Sequence, residues 1–532
     1  MNDVQMPARR TLVLGDPIVS IGDRTLIDDG ALIVEGSEIV AAGRRQDLEN
    51  RGPFDRVVGS PEHFVMPGFV NCHYHSELAI GPGLYQFIFE RANVFIQAAT
   101  GDVEEDDLYV GVLWGLLNAL KGGQTATVDM YYGRPGMADF GCPPALRAYE
   151  DIGMRTAFGL VSRDENIYVH EPNEAFLARL PADLADEIRR SPMGYAWPVE
   201  DVMAAFDRLF EEWHGRGDRI RIVTAPDWTP ACSDELYRRC RAVADDVGTG
   251  MISHVLETRS EMLYNIERYG KTAVRRLSEL GVLTPDTVLE HFVWVTDDEI
   301  RMFVESGAIA SNDPGSNLRL SSGIARVRDM MDAGGRVAFG TDGISFSDRE
   351  DFFQELRLAC YLQRTPTTFE RSRLDSEQVL RSAAENGARA LGMEGRLGAL
   401  EPARLADLLV VRKDRILFPP GRYDAEPFLD VVIDRAEASD IDDVMVHGRL
   451  LLEGGHVTVV DEAEVKARFA EAVRERVYRL AERTRRWAEL GSLVEPYVID
   501  FYQRWYGTPI EPASVYNARR PPLPEIARRR PP

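Results

Sequence analysis

Two histidines at the end of a predicted strand are the residues that most clearly predict chemistry in this sequence. The stretch 66–75, MPGFVNCHYH, begins with a Pro-Gly turn, continues as a buried strand at 69–73 and ends in a His-x-His pair. Because successive side chains of a strand alternate, His73 and His75 are expected on the same side. Two imidazoles placed in this way can bind one metal ion, although an isolated His-x-His is also an ordinary polar strand end. A metal site therefore requires further ligands from the rest of the chain.

Those ligands are found where later strands are predicted to end. His254 ends the segment MISH, His291 ends VLEH, and Asp342 follows AFGT, so that four of the nine histidines lie at predicted strand ends. Histidines with one carboxylate suit a borderline-soft divalent ion, which predicts zinc, with iron or cobalt as alternatives. Asp342 can bind the ion or accept a proton from its water, whose pKa falls to about 7 in favourable sites.

Two side chains near these ligands are predicted to be catalytic. Glu257 follows His254 by three residues, on the loop that leaves the strand, and we expect it to pass a proton from the attacking water to the leaving group. His291 is expected to hydrogen-bond the developing negative charge or to polarise the substrate atom under attack. The alternative for Glu257 is a surface acid in a charged loop.

Eight predicted strands, separated by amphipathic helices, must position these residues. They are residues 69–73, 125–131, 155–160, 219–225, 250–254, 287–291, 308–311 and 337–341. Alternating strands and helices predict an α/β protein with a parallel sheet, and eight repeats predict a closed (β/α)8 TIM barrel whose strand ends meet at one mouth. An open doubly wound sheet is the alternative, but no Gly-rich nucleotide-binding motif follows any of these strands.

Both ends of the chain contain short strands, which predicts that the barrel is inserted in a small composite β-sandwich domain. We expect residues 1–62 and 393–460 to form this β-domain, and residues 63–392 to form the catalytic barrel. Residues 461–532 are expected to form a helical extension, with one long charged helix at 462–490 for packing or subunit contact. The last sixteen residues are rich in Pro and Arg and are predicted to be an extended tail.

Composition limits the classes of partner. A formal net charge of −24 argues against nucleic acid or an anionic membrane, because phosphates would be repelled. Five cysteines without a C-x-x-C pair predict a reducing, cytoplasmic location. The sequence contains no apolar run of ~18 residues, so we expect no membrane-spanning helix. The expected partners are a small-molecule substrate and further copies of the chain in a homo-oligomer.

Several motifs together resemble those of a known superfamily. PGFVNCHYH, HVLE, PGSNLRL and FGTDG occur in this order and resemble the amidohydrolase superfamily, in particular its cytosine-deaminase-like and atrazine-chlorohydrolase-like branch. The resemblance implies that one divalent ion is bound by His73, His75, His254 and Asp342. It also implies that Glu257 and His291 transfer protons and activate the substrate. Binuclear members carry a lysine at the fourth strand, and the absence of lysine from residues 219–225 favours one ion.

We therefore predict a metal-dependent hydrolase that cleaves a carbon–nitrogen bond. Deamination of a heterocycle and hydrolysis of an amide, urea or carbamate are both open, with dehalogenation of a triazine-like ring or a non-catalytic scaffold as alternatives. Trp228, Trp294 and Asn317 are predicted to contact an aromatic or heterocyclic substrate, although the two tryptophans also suit a loop core. The chain departs from many deaminases of the branch at two places. Those deaminases have a histidine in the loop after the fourth strand, where this chain has Asp227. They often have another histidine before the Pro-x-Ser-Asn motif, where this chain has Asn312-Asp313.

Overall fold

The fold is described from a computed structural model. It describes residues 9–21, 25–80, 89–90, 103–134, 137–166, 168–190, 198–347, 349–364, 374–422, 427–479 and 481–506. The Pro/Arg-rich tail and residues 81–88 lie outside these residues. No helix in this part of the chain is both long and apolar enough to cross a membrane.

The chain begins with short strands, as the sequence predicts. They are β1 (Arg10–Gly15), β2 (Ile18–Ser20), β3 (Thr25–Ile27), β4 (Gly30–Glu35), β5 (Glu38–Arg44), β6 (Arg56–Gly59) and β7 (His63–Pro67), with the short helix α1 (Arg45–Leu48) before β6. A tight hairpin joins β4 to β5, which pair antiparallel. Four of these strands form one sheet in the order β5-β4-β1-β6.

Eight parallel strands follow and form the predicted barrel. They are β8 (Phe69–Tyr74), β9 (Gln124–Tyr131), β10 (Arg155–Ser162), β11 (Ile220–Pro226), β12 (Met251–Val255), β13 (Thr287–His291), β14 (Ile309–Asn312) and β15 (Arg336–Phe339). Each strand pairs in parallel with the next from β8 to β15. The Asp342 N–H donates to the His73 carbonyl at 2.9 Å, which brings the end of the last strand against the first.

Helices connect these strands and cover the outside of the barrel. They are α2 (Glu105–Lys121), α3 (Cys142–Ile152), α4 (Asn173–Leu177), α5 (Ala182–Arg190), α6 (Val199–Trp213), α7 (Asp234–Val247), α8 (Arg259–Tyr269), α9 (Ala273–Glu279), α10 (Asp297–Ser306), α11 (Pro314–Arg319), α12 (Val327–Asp332), α13 (Ile344–Ser347), α14 (Phe352–Leu362), α15 (Ser376–Arg381) and α16 (Gly387–Ala390). A capping box opens α10, because Thr296 and Glu299 satisfy each other's backbone N–H groups. All five cysteines are buried free thiols.

The chain then returns to the N-terminal strands. The elements are β16 (Leu408–Arg412), α17 (Lys413–Ile416), α18 (Phe428–Arg435), β17 (Ile441–Val446), β18 (Arg449–Glu453) and β19 (His456–Val457). Strand β16 pairs antiparallel with β7 in a seven-stranded sheet, which confirms the composite β architecture. His447 and Gly448 form a tight turn between β17 and β18 with φ of 52° and 72°, as the turn of a two-residue hairpin requires.

The C-terminal extension differs from the predicted single helix at 462–490. It contains two helices, α19 (Glu462–Arg479) and α20 (Ala481–Tyr506), so helical structure continues well past Leu490. The reason is an apolar face that keeps helical spacing beyond that residue and is buried against the barrel's own loops. Its buried members are Leu490, Val494, Val498, Phe501, Tyr502 and Trp505.

Candidate metal centre and active site

Four predicted ligands converge at the mouth of the barrel. His73 lies in β8, His75 follows it, His254 lies in β12 and Asp342 follows β15, and all four are buried. Asp342 Oδ1 lies 3.3 Å from His73 Nε2 and 3.3 Å from His75 Nε2. His254 Nε2 lies 3.2 Å from His75 Nε2. The elements that bring these atoms together are more than 80 residues apart in sequence, and the parallel strand ends are what unite them.

The hydrogen bonds behind the rings show that the cluster fits a cation. His75 Nδ1 faces the Met130 carbonyl at 2.5 Å, and His254 Nδ1 faces the Asp227 carbonyl at 3.0 Å, so each Nδ1 is assigned the proton. The two Nε2 lone pairs then face each other at 3.2 Å, which is repulsive unless a positive ion lies between them. Ligands about 2.05 Å from a tetrahedral zinc ion are separated by about 3.3 Å. The distance from His254 Nε2 to His75 Nε2 and the two distances from Asp342 Oδ1 to His73 and His75 are close to this value. Neither ring nitrogen of His73 has a hydrogen-bond partner in the described part of the chain.

Burial favours the neutral, metal-binding form of His73 and His75. The pKa of His73 is lowered well below its ordinary value by burial and by the neighbouring His254. The pKa of His75 is lowered to about 3, chiefly by burial, although the charge of Asp342 acts in the opposite direction. Neutral imidazole is the ligating form, so the environment favours metal binding at physiological pH.

Buried polar residues hold the ligands in place. Asp227 accepts from His254 Nδ1 and is itself bound by Arg163 Nη2 at 2.8 Å and by the Tyr132 hydroxyl at 2.9 Å. Asp342 Oδ2 accepts from the Ser316 hydroxyl at 2.5 Å. Such contacts orient ligands and fix their tautomers. Asp227, noted in the sequence only as a departure from related deaminases, thus occupies the position behind His254.

Glu290 is a site residue that the sequence analysis did not single out. Its Oε2 lies 3.5 Å from His73 Nδ1, and the side chain is fully buried. Burial raises the pKa of Glu290 well above its ordinary value, with further contributions from Asp313 and Asp342. The signal available in the sequence is its place in VLEH, an acid directly after two apolar residues of a predicted strand and one residue before His291.

Glu257 lies beside the cluster rather than within it. Leu256, with φ of 56°, turns the chain between His254 and Glu257, so Glu257 leaves the side-chain register of β12. Its Oε1 accepts from the Ser322 hydroxyl at 3.0 Å, and its Oε2 lies 3.9 Å from His291 Nε2. Burial raises the pKa of Glu257 well above its ordinary value, and the charge of Asp342 adds to this effect. A raised pKa suits a carboxyl that exchanges a proton during catalysis.

His291 is fixed from behind by two acceptors. Its Nδ1 lies 3.0 Å from Asn317 Oδ1 and 3.3 Å from Asp313 Oδ2. These contacts assign a proton to Nδ1 and leave Nε2 facing the cluster, where the ring lies 4.7 Å from that of His73. The Asn317 Nδ2 group is buried without a hydrogen-bond partner among the described residues, and it remains available to an acceptor on a bound molecule.

A cavity of about 180 Å³ opens beside Glu257. It is lined by Phe89, Glu90, Thr258, Arg259, Trp294, Leu320, Ser321 and Ser322. Trp294, a predicted substrate contact, borders this cavity, and its Nε1 donates to the Ser322 carbonyl at 2.6 Å. Trp228 is not among the lining residues and lies one layer behind, with its ring 5.2 Å from that of Phe89.

Comparisons with known proteins agree with this geometry. Residues 64–451 match the model of the amidohydrolase family. A 5'-deoxyadenosine deaminase of Methanosarcina mazei is 29% identical over 459 residues, which cover 85% of this chain and 95% of that protein. A 5-methylthioadenosine/S-adenosylhomocysteine deaminase of Syntrophomonas wolfei is 29% identical over 460 residues, which cover 86% of this chain and 96% of that protein.

Solved structures share the fold. An adenosine deaminase from Xanthomonas campestris with bound zinc superimposes with a TM-score of 0.74 at 24% identity, and the match covers 89% of this chain and 100% of that one. An atrazine chlorohydrolase from Arthrobacter aurescens TC1, complexed with zinc, gives a TM-score of 0.75 at 22% identity, covering 87% of this chain and 100% of that one. At these identities the likeness supports the barrel and its flanking sheets.

Proposed function

The chain belongs to the amidohydrolase family and is a metal-dependent hydrolase of carbon–nitrogen bonds, and from this premise we propose that its substrate is an adenine nucleoside. The reaction is deamination: water adds to the ring carbon that bears the exocyclic amine, ammonia leaves, and a hypoxanthine nucleoside is formed. The proposed substrate class comes from 5'-deoxyadenosine, 5-methylthioadenosine and S-adenosylhomocysteine, the compounds named for relatives that align along 95–96% of their length.

The observation that carries the chemistry is the convergence of three imidazole Nε2 atoms and one carboxylate oxygen, with Glu257 hydrogen-bonded to Ser322 of the cavity wall. We propose that this set holds one divalent ion, zinc, through His73, His75, His254 and Asp342. A bound ion supplies a Lewis acid and lowers the pKa of water to about 7, which makes hydroxide available at neutral pH. β11 contains no lysine to bridge a second ion, which supports a single ion.

The proposed proton path uses the two carboxyls differently. Asp342 Oδ1 is directed into the cluster between two histidines, where it accepts the proton released by the attacking water. Glu257, held by the Ser322 hydroxyl, donates a proton to a ring nitrogen as the water oxygen adds to the carbon. Asp342 then passes the water proton to the departing amine, and Glu257 regains a proton from the product hydroxyl as the carbonyl forms. Ser322 donates to Glu257 and so fixes the direction of its carboxyl.

His291 has an orienting role in this proposal. Asp313 and Asn317 hold its Nδ1, so its Nε2 is directed at the reacting centre. Burial lowers the pKa of His291 well below its ordinary value, so the ring acts in its neutral form and accepts a hydrogen bond at Nε2. The free Asn317 amide and Trp294 supply hydrogen bonding and a flat apolar wall to the base.

Ammonia release from a panel of nucleosides tests the proposal. The purified protein, loaded with zinc, is incubated with 5'-deoxyadenosine, 5-methylthioadenosine, S-adenosylhomocysteine and adenosine, and ammonia and the hypoxanthine product are measured together. Release from at least one of them is expected. Ammonia or amine release only from simple amides, ureas or pyrimidines, or halide release only from chlorotriazines, would assign the same site to another substrate class.

Two further properties complete the proposal. We infer a reducing cytoplasmic location, because the five cysteines are buried thiols rather than cross-links. The homo-oligomer remains a prediction, and light scattering of the purified chain tests it.

A further inference from the structure

A cluster of aromatic rings surrounds one buried histidine at the edge of the active site. His170 is only 2% exposed, and its ring lies 4.9 Å from Trp228, 5.4 Å from Tyr264, 5.1 Å from Tyr502 and 5.6 Å from Trp505. Neither of its ring nitrogens has a hydrogen-bond partner among the described residues. We call these five residues the aromatic clamp. Burial in this cluster lowers the pKa of His170 to about 3. The charge of Arg504 lowers this pKa further, whereas the Ser260 backbone raises it.

The clamp joins the C-terminal helix to the wall of the active site. Tyr502 and Trp505 lie on α20, whereas His170 lies in the loop after β10 and Trp228 in the loop after β11. The Trp505 indole N–H donates to Glu267 on α8 at 2.9 Å, which anchors the helix over this corner. Residues 452–532 lie beyond the match to the family model. Two of the four rings around His170, those of Tyr502 and Trp505, therefore come from a part of the chain outside that match.

Trp228 links the clamp to both the metal centre and the cavity. It follows Asp227, whose carbonyl and carboxylate face His254 Nδ1 at 3.0 and 3.1 Å. On its other side, the Trp228 ring packs against Phe89, which lines the cavity. A displacement of Trp228 therefore changes the cavity wall and the residue that orients a metal ligand.

The two loops that carry the clamp are also tied to each other by polar contacts. Asn166 Nδ2 donates to the Pro230 carbonyl and to the Tyr264 hydroxyl, both at 2.7 Å. The N–H groups of Asp164 and Glu165 both donate to the Ala231 carbonyl. The loops thus form one unit, and α20 covers this unit through His170.

We propose that α20 is part of the active-site architecture, with Tyr502 and Trp505 as positioning residues that hold the loops 163–171 and 227–233 in their substrate-binding arrangement. They touch neither the ligands nor the cavity and act through His170 and Trp228. The inference rests on the proposed active site but does not depend on which nucleoside is the substrate.

Hydrogen–deuterium exchange of the zinc-loaded protein tests this positioning role of α20 without relying on activity. Trp505→Ala should speed amide exchange in residues 163–171 and 227–233, because local opening requires less energy when packing is lost. Phe469→Ala is the matched control, because it removes a ring of the same extension that stacks on Trp114 at 5.3 Å, away from the clamp. This control should affect exchange only around α2. Wild-type exchange at 227–233 in Trp505→Ala would overturn the proposal.

Kinetics provide the second readout. Trp505→Ala should raise KM about 10-fold, with a smaller change in kcat and with unchanged metal content, because substrate positioning is lost while the ligands remain. Trp505→Phe, which keeps a ring, should restore most of the KM, and an unchanged KM in Trp505→Ala would count against the proposal. Tyr502→Leu applies the same test if Trp505→Ala does not fold. If the wild-type protein releases no ammonia from any nucleoside, the proposed substrate fails, and the exchange experiment still decides the role of α20.

Discussion

Two buried carboxyls beside the metal centre differ in what they touch, and this difference assigns their roles. Asp342 has one oxygen against two imidazoles and the other against the Ser316 hydroxyl, so both of its oxygens are engaged. Glu257 accepts one hydrogen bond, from Ser322 of the cavity wall. The contacts of Asp342 suit the proposed ligand that also takes the proton of the attacking water, whereas Glu257 can exchange a proton with the substrate.

Replacing Glu257 tests the shuttle. Glu257→Gln keeps the size and most hydrogen bonding but removes the exchangeable proton, so kcat should fall by about 10²–10⁴-fold. Metal content, measured by elemental analysis, should stay at the wild-type level. Glu279→Gln on α9, which changes a partly exposed glutamate, serves as the control and should leave both quantities unchanged. Loss of the metal in Glu257→Gln would show that Glu257 is a ligand. Full activity of this variant would show that another group transfers the proton, with Asp342 as the first candidate.

Removing a ligand tests the metal stoichiometry. The wild-type protein should contain close to one divalent ion per chain, and His73→Ala or His254→Ala should lose it, because three remaining donors leave the charge and the coordination incomplete. Elemental analysis after dialysis gives the ratio. Two tightly bound ions per chain would contradict a site that has no bridging lysine.

The contact between the Asp227 carboxylate and His254 Nδ1 allows a test in which metal affinity is lowered rather than abolished. Asp227→Ala removes the carboxylate that faces His254 Nδ1 and also frees Arg163 and Tyr132. Loss of such an orienting group typically costs about 10–100-fold in metal affinity. A competition titration with a chelator measures this change, and Asp227→Asn, which keeps an acceptor oxygen, should lose less. Equal affinities of Asp227→Ala and wild type would show that the backbone carbonyl alone orients the ring.

Sequence analysis singled out the proposed ligands but not the residues that support them, for a physical reason. His73, His75, His254 and Asp342 are marked by their place at strand ends, which is a local property. Ser316, Ser322 and Glu290 act through contacts with residues that are 26, 65 and 217 positions away, and only the folded barrel brings these pairs together. The roles themselves remain proposals until the variants above are measured.

At the scale of elements, periodicity predicted the barrel more accurately than it predicted the C-terminal extension. The strand at Thr287–His291 was placed to the residue, because an apolar run between turn residues has few alternatives. The extension was predicted as one helix ending at residue 490, but α20 continues through Gly491 and Pro496 to Tyr506. Burial of its apolar face in the aromatic clamp and neighbouring side chains offsets the low helix propensity of these residues.

The capping box of α10 allows a prediction at this scale. The Thr296 side chain accepts from the Glu299 N–H, and the Glu299 carboxylate accepts from the Thr296 N–H. Thr296→Ala should lower the free energy of unfolding by about 1 kcal/mol, whereas Thr296→Ser should be nearly neutral because it keeps the hydroxyl. Urea denaturation measures both variants. An alanine variant as stable as the serine variant would mean that the cap adds nothing to this helix.

At the scale of the whole molecule, one buried acid joins the barrel to the strands from both chain ends. Asp407, just before β16, receives a two-point contact from Arg155 of β10, with distances of 2.7 and 3.0 Å. The same carboxylate accepts from the His447 N–H of the β17–β18 turn, and the Asp407 carbonyl accepts from the Gly68 N–H before β8. The domain boundaries at residues 62, 392 and 460 remain a prediction, because contacts of this kind cross them.

Breaking this ion pair should therefore destabilise the molecule as a unit. Arg155 is fully buried and Asp407 is 5% exposed, so Arg155→Ala leaves an uncompensated buried charge and should cost about 3–5 kcal/mol in the free energy of unfolding. Replacing both partners, as Arg155→Met with Asp407→Leu, should recover part of that loss, since no buried charge remains. Arg239→Ala is the control, because its partner Glu200 is 78% exposed, and it should cost less than about 1 kcal/mol. Urea denaturation followed by circular dichroism gives all three values. If Arg155→Ala costs no more than Arg239→Ala, the barrel and the composite sheets are held together by their apolar contacts and strand pairing rather than by this pair.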